Sequence, residues 1–150
     1  MFELKRTNNE DPDFIYLVPL LDKDLRNRYQ DLQDQYDQHN VLVNVDTVVI
    51  AYVDGKPAGC GCFKQFDDVS VEMKRMYVKP EYRRQGISSA ILNELEAWAR
   101  ESGYTEAVLE TGDRQDEAIA LYKKQGYQSI PNYPPYEEME TSICMKKWLV

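Results

Sequence analysis

A mixed α/β (α+β) fold is predicted by three observations. β-rich runs crowd the first half of the chain, and two amphipathic stretches separate strands in the second half. Between them, a strand runs straight into a basic, glycine-bearing turn at "YVKPEYRRQGISSAIL". Strands first, then β-α-β-α-β, put the strand before Gly86 at the centre of a mixed sheet. The 150 residues are 43% hydrophobic and 29% charged, which suits one globular domain over residues 1–150. No internal repeat or linker interrupts them.

Taken in order, Glu3 to Arg6 reads as a short first strand. "VPLLDKDLRNRYQDLQDQYDQHN" is helix-favouring, with Leu21, Leu25, Tyr29, Leu32 and Tyr36 three or four apart on one stripe. "TVVIAYVDGKPAGCGCFKQF" predicts a hairpin turned by Asp54-Gly55. "VSVEMKRMYV" is a strand bounded by Asp67-Asp68 and Pro80. Strand alternation would place Glu72, Lys74, Met76 and Val78 on one of its faces. Ile87, Ile91, Leu95 and Trp98 share a helical face that ends at Ser102-Gly103. "TEAVLET" predicts a strand. "RQDEAIALYKKQG" predicts a helix with Ala118, Leu121 and Tyr122 inward and Gly126 as terminator, and "TSICMKKWLV" closes as a strand. The proline-rich "YQSIPNYPPYEEMETS" is a stiff loop that cannot extend a central strand.

Charge and cysteine content narrow the function classes. A net charge of −8 argues against nucleic acid and anionic membranes as partners. The longest apolar runs, such as Val48 to Tyr52, are too short to span a bilayer, and the start "MFELKRTNNEDPDF" has no secretory pattern. Cys60 and Cys62 form C-x-C rather than a zinc-type pair, and His39 has no neighbouring ligands, so no metal is expected. Three reduced thiols, with Cys60 and Cys62 packing on one strand face, fit the cytoplasm.

Against that acidity, Lys74, Arg75, Lys79, Arg83 and Arg84 place five of the 18 basic residues within a short span, which suits a small anionic ligand. A helix start offers unpaired N–H groups and a partial positive charge. Gly86 bares them, Ser88-Ser89 tolerate the approach, and Arg83 and Arg84 could add charge-assisted bonds to a pyrophosphate. The alternative is a basic turn with nothing bound. Neither a P-loop nor a Rossmann fingerprint is present.

"MKRMYVKPEYRRQGISSAIL" closely resembles the acetyl-CoA signature of the GNAT N-acetyltransferase superfamily: a strand, V-x-P-x-x-R, then [Q/R]-x-x-G-x-[G/A]. Arg83 takes the first motif place, Gly86 the glycine and Ser88 the last, where the family usually has Gly or Ala. "EAIALYKKQGYQ" is similar to the family's A-x-x-x-Y-x-x-x-G-F/Y segment. The likeness spans roughly Val48 to Tyr127. It implies a mixed sheet of six to seven strands flanked by about four helices, with a splayed central pair, and acetyl-CoA as cosubstrate without a metal. Backbone groups at Met76, Tyr77 and Val78 would pair with the pantetheine arm. Arg83, Arg84, Gln85, Gly86, Ile87, Ser88 and Ser89 would hold the pyrophosphate. Gln115 would replace an asparagine that family members often carry before the last helix.

The resemblance also implies catalytic roles. Tyr122 matches the family tyrosine near the CoA sulfur, a general acid or thiol-orienting group, against the alternative of core packing. Glu72 matches the base of the histone-acetyltransferase branch, against the alternative of a salt bridge to Lys74 or Arg75. A base is needed because a lysine-like amine is almost wholly protonated at neutral pH. Tyr133 and Tyr136 are candidate acceptor-pocket walls beside the acidic Glu137, Glu138 and Glu140. The other reading of that loop is a solvated turn with its aromatics packed inward. The expected reaction is direct transfer to a small-molecule or peptide amine, cationic by the charge argument. The rival is a non-catalytic acyl-CoA-binding or sensor domain. Superfamily members often form homodimers, but nothing in the sequence identifies an interface.

Overall fold

The computed structural model describes residues 1–29 and 44–149. Seven strands form one sheet: β1 (Phe2–Thr7), β2 (Val48–Val53), β3 (Lys56–Gln65), β4 (Ser70–Val78), β5 (Glu106–Gly112), β6 (Gln128–Ile130) and β7 (Ser142–Trp148). Their spatial order is β1-β2-β3-β4-β5-β7-β6. Only β4 and β5 pair in parallel; the other neighbours are antiparallel. Among the described residues, three α-helices flank the sheet, where about four are expected: α1 (Pro12–Arg28), α2 (Ile87–Glu101) and α3 (Asp116–Lys124).

Helix α1 starts six residues before the stretch read as helical. Asp11 caps it, its carboxylate accepting from Asp13 N–H at 2.9 Å, and Pro12 at the first position loses no helical bond. Phe14, Leu17, Leu21 and Leu25 give it a buried face. Leu32, Tyr36 and His39, read as part of the same segment, lie outside the described residues. The hairpin turn stands where expected, with Asp54 and Gly55 both at positive φ (51° and 77°), as a tight primed turn requires. The short strand β6 was not anticipated. It is an edge strand lying just before the three prolines, where their missing donors interrupt nothing.

Two apolar clusters cover the two faces of the sheet. One packs α2 and α3 against Val49, Val71, Met73, Leu109 and Met145; the other packs α1 against Val48, Ile50, Cys60, Cys62, Tyr77 and Tyr136. Cys60 and Cys62 therefore do share a face, as predicted.

The alternation expected along β4 fails at one residue. Arg75 sits at φ 59°, and opposite it the register shifts: Cys62 faces Lys74, while Cys60 faces Tyr77. Three steps on β4 match two on β3, a β-bulge that reverses the faces beyond it. Glu72 and Lys74 thus lie opposite to Val71 and Met73, toward α1. Met76 and Val78 join the α2–α3 cluster instead of the face of Glu72.

The bulge also sets the splay. Parallel pairing runs only from Ser70↔Glu106 to Met73↔Leu109. Beyond it β4 follows β3 to Val78, while β5 follows β7 to Gly112. The predicted splayed pair is present.

Candidate functional site

Where the strands part, a cleft of about 530 Å³ opens. Its walls carry Met76, Tyr77 and Val78 of β4, then Arg83, Arg84, Gly86, Ile87, Ser88 and Ser89. Gln115, the residue before α3, closes it together with Ala118, Leu121 and Tyr122 of α3, and with Leu21, Asp24 and Arg28 of α1. Gln85, exposed in the turn, is not on the wall. Ten of the eleven residues named from the signature therefore converge on one space.

The turn has the backbone features of an anion site. Arg84 (φ 66°) and Gly86 (φ 80°) both take left-handed backbone conformations, which lets successive N–H groups of a turn converge. The first bond inside α2 is Ala90 N–H to Gly86 C=O at 3.1 Å, so the amides of Ile87, Ser88 and Ser89 precede the helical ladder. A Cβ built on Gly86 meets no atom within 4 Å, so the space over the helix start is open. This room and these donors fit a diphosphate.

The five clustered cations do not act together. Arg75 donates to Asp22 at 2.6 Å, and Lys79 reaches the Tyr16 hydroxyl at 2.9 Å and Glu81 at 3.5 Å. Lys74 is buried against Glu72 (3.9 Å) and the Tyr136 hydroxyl (3.3 Å). Arg83 and Arg84 remain at the large cleft, and Arg83 also braces the turn by donating from Nε to the Val78 carbonyl at 2.9 Å.

A smaller cavity of about 60 Å³ adjoins the cleft and shares Leu21, Met76, Gln115 and Tyr122 with it. Its other walls are Leu25, Met73, Lys74, Arg75, Glu110 and Thr111. Tyr122 thus stands where the two spaces meet. Burial, with the nearby Glu110 charge adding to it, pushes its hydroxyl above the usual tyrosine range, so it holds its proton firmly. Its ring lies 5.8 Å from that of Tyr127, whose hydroxyl donates to Glu96 at 2.9 Å.

Glu110 is the functional candidate that the sequence reading missed. It stands one step past the last parallel rung, on the face opposite Leu109, and accepts from the Ser142 hydroxyl at 2.7 Å. Burial pushes its carboxyl up to about 6, partly opposed by Ser142 and by Lys74. A signal did exist: in "TEAVLET", Glu106, Val108 and Glu110 share a face that would otherwise have read as solvent-exposed.

Glu72 lies elsewhere. It is 4% exposed and lines neither space. It takes a hydrogen bond from the Tyr133 hydroxyl at 2.8 Å, with Lys64 at 3.7 Å and Lys74 at 3.9 Å. Of the salt bridges weighed for it, the one to Lys74 exists, whereas Arg75 turns to Asp22. Tyr133 and Tyr136 also line neither space. Their rings pack edge-on at 5.7 Å, Tyr133 meets Phe66 at 4.7 Å, and Tyr136 is only 2% exposed. The aromatics of the proline-rich loop are packed on the body. Among the described residues, no cluster of metal-binding side chains converges, and no helix is long and apolar enough to cross a membrane.

A sheet split beyond its one parallel pairing, with a glycine-led helix start at the split, is the architecture of the GNAT acyl-CoA N-acyltransferase fold. The chain belongs to the acetyltransferase (GNAT) family, whose model matches residues 14–127. It is 35% identical over 100 residues to an IAA acetyltransferase of Azospirillum brasilense, covering 66% of this chain and 65% of that protein. It is 39% identical over 67 residues to human N-acetyltransferase 8, covering 41% of this chain and 30% of the human protein. The chain thus spans less than two thirds of either relative. Among solved structures, a candidate acyl-CoA N-acyltransferase from Klebsiella pneumoniae superimposes with a TM-score of 0.82 at 32% identity, over 100% of this chain and 99% of that one. A Thermoplasma acidophilum PaiA N-acetyltransferase solved with coenzyme A shares the fold, with a TM-score of 0.70 at 19% identity and 99% coverage of both chains.

Proposed function

We propose that the protein is an N-acetyltransferase that passes acetyl from acetyl-CoA directly to a primary amine. The observation that carries this reading is that a carboxylate with a raised proton affinity, Glu110, and a buried tyrosine, Tyr122, line one small cavity adjoining the diphosphate-sized cleft. The turn from Arg83 to Ser89 holds the diphosphate, and the unpaired edge of β4 at Met76 to Val78 offers backbone groups to the pantetheine arm. The amine enters the small cavity and attacks the thioester carbonyl, and Glu110 takes the proton that the nitrogen gives up. The C–S bond then breaks, and Tyr122, kept protonated by its burial, gives its hydroxyl proton to the departing sulfur as negative charge develops there.

Direct transfer is favoured over a cysteine intermediate. Cys60 and Cys62 are buried on β3 beside β4, donating to the carbonyls of Arg75 and Lys74 at 3.4 Å each. Burial pushes the Cys62 thiol up to about 12 and that of Cys144 to about 11, so neither supplies thiolate near neutrality. Three free thiols also support a reducing compartment, the cytoplasm. The acidic surface steers a cationic acceptor over distance, but it does not recognise one at the cavity, where Lys74 and Arg75 form part of the wall. A panel of cationic, neutral and carboxylate-bearing amines, read by CoA-thiol release with acetyl-CoA as donor, tests the assignment. No turnover across the panel would overturn it.

Two variants separate the parts. Tyr122→Phe removes the proton donor and leaves the ring, so turnover should fall by roughly tenfold or more with acetyl-CoA affinity retained in calorimetry. Unchanged turnover would exclude Tyr122 as the acid. Gly86→Val sets a β-branched residue at φ 80° and pushes methyl groups into the open space over the helix start. Acetyl-CoA affinity should drop by at least about tenfold, since left-handed strain and a blocked amide each oppose binding.

A further inference from the structure

We infer that Lys74 is a positioning residue for the base: its buried ammonium, fixed by Glu72 and Tyr136, stands on the cavity wall with Glu110 and keeps that carboxylate in its proton-accepting form. The inference rests on the reading of Glu110 given above.

The geometry comes from the sheet. Met73↔Leu109 is the last parallel rung, so Lys74 and Glu110 occupy the next position on each strand. Both side chains lie on the α1 face, and both line the small cavity. The backbones lie about 5 Å apart at that last rung, and both side chains close one cavity of about 60 Å³, a proximity at which one charge influences another's ionisation. Lys74 is held in place: its Nζ donates to the Tyr136 hydroxyl at 3.3 Å, lies 5.9 Å from that ring's centre, and has the Glu72 carboxylate at 3.9 Å. Glu72 is fixed in turn by the Tyr133 hydroxyl at 2.8 Å. The buried group that lies off the cavity thus anchors one that lies on it.

The surroundings of Glu110 are few. From β4 it faces Lys74 and Glu72, with Arg75 also on the cavity wall but paired to Asp22 of α1. From β7 it faces the Ser142 hydroxyl and Cys144, from α3 Tyr122, and from α1 the apolar Leu21 and Leu25. Lys74 supplies the positive charge that opposes burial at Glu110, and Glu72 acts the other way. The desolvation that weakens Lys74's own charge, with Lys64 acting the same way, is partly offset by Glu72 and Glu110, so one buried cation serves two carboxylates.

The test reads ionisation without relying on turnover. In protein labelled with ¹³C at glutamate carboxyls, the Glu110 resonance is assigned by its loss in Glu110→Gln and titrated by NMR. Lys74→Met, close in length and unable to carry charge, should raise the Glu110 midpoint by about one pH unit or more. The acidic limb of the kcat/KM profile should move with it. Glu72→Gln should move both the opposite way, which keeps the test decisive if Lys74→Met does not fold. An unmoved Glu110 midpoint in either folded variant, or shifts of the same sign in both, would overturn the inference. If the midpoint moves as expected but the limb in kcat/KM stays in place, Glu110 is not the base, and the catalytic reading and this one fall together.

Discussion

Glu110→Gln should lower kcat/KM for amine acetylation by ~10²–10³ at neutral pH, the usual worth of a positioned general base. The substitution keeps the shape and the Ser142 contact (2.7 Å in the native protein) but cannot take a proton. Glu110 lines the small cavity and not the larger cleft, so acetyl-CoA binding should be unaffected. The pH profile gives a second readout. A base works deprotonated, so wild-type kcat/KM should rise with pH through a midpoint of about 6 and fall away in acid below it. The variant should lose that limb and keep only the slope from the amine's own deprotonation at higher pH. A full acidic limb in Glu110→Gln, or a loss of less than about tenfold, would assign the proton to another acceptor.

How this site could be read from sequence differed from part to part. The diphosphate turn was legible because its chemistry is local: a strand end, a proline, arginines and a glycine within one short segment specify the loop and where the next helix begins. Helix α2 was legible for the same reason, since a repeat near 3.6 needs only the segment itself. The proposed base was not, because its place depends on where pairing stops between β4 and β5, two strands far apart in sequence. Alternation placed Glu72 correctly on the face of Lys74 but could not show that Tyr133, from a distant loop, covers it. Alternation puts Met76 and Val78 on the wrong face because an arginine at positive φ carries no signature in the sequence. Proline content led the reading past β6, since it reports what cannot sit in a sheet's centre and says little about its edge.

Gly112→Ala should lower stability by about 2–3 kcal/mol through overpacking, a fall of roughly 5–10 °C in Tm for a chain of this size. A single methyl group at this glycine would lie 2.0 Å from the Tyr29 hydroxyl oxygen and 2.5 Å from Cζ of the ring. Tyr29 has no room to retreat. It is fully buried, its amide closes α1 onto the Leu25 carbonyl at 2.9 Å, and its hydroxyl accepts from Arg114 N–H at 2.6 Å. The Arg114 guanidinium lies 5.1 Å over the same ring and donates to the Arg28 carbonyl at 2.8 Å. Tyr29 therefore bolts the end of α1 to the turn that launches α3, and the missing side chain at Gly112 is the hole that receives it. In a Tyr29→Ala background the cost of Gly112→Ala should largely vanish, the non-additivity expected of two groups competing for one space. Equal costs in both backgrounds would show that the strain lies in the β5 backbone instead. The same bolt fixes the helix that brings Leu21 and Leu25 to the cavity lined by Glu110 and Tyr122, so Gly112→Ala should also raise the KM for the amine at temperatures where the protein remains folded.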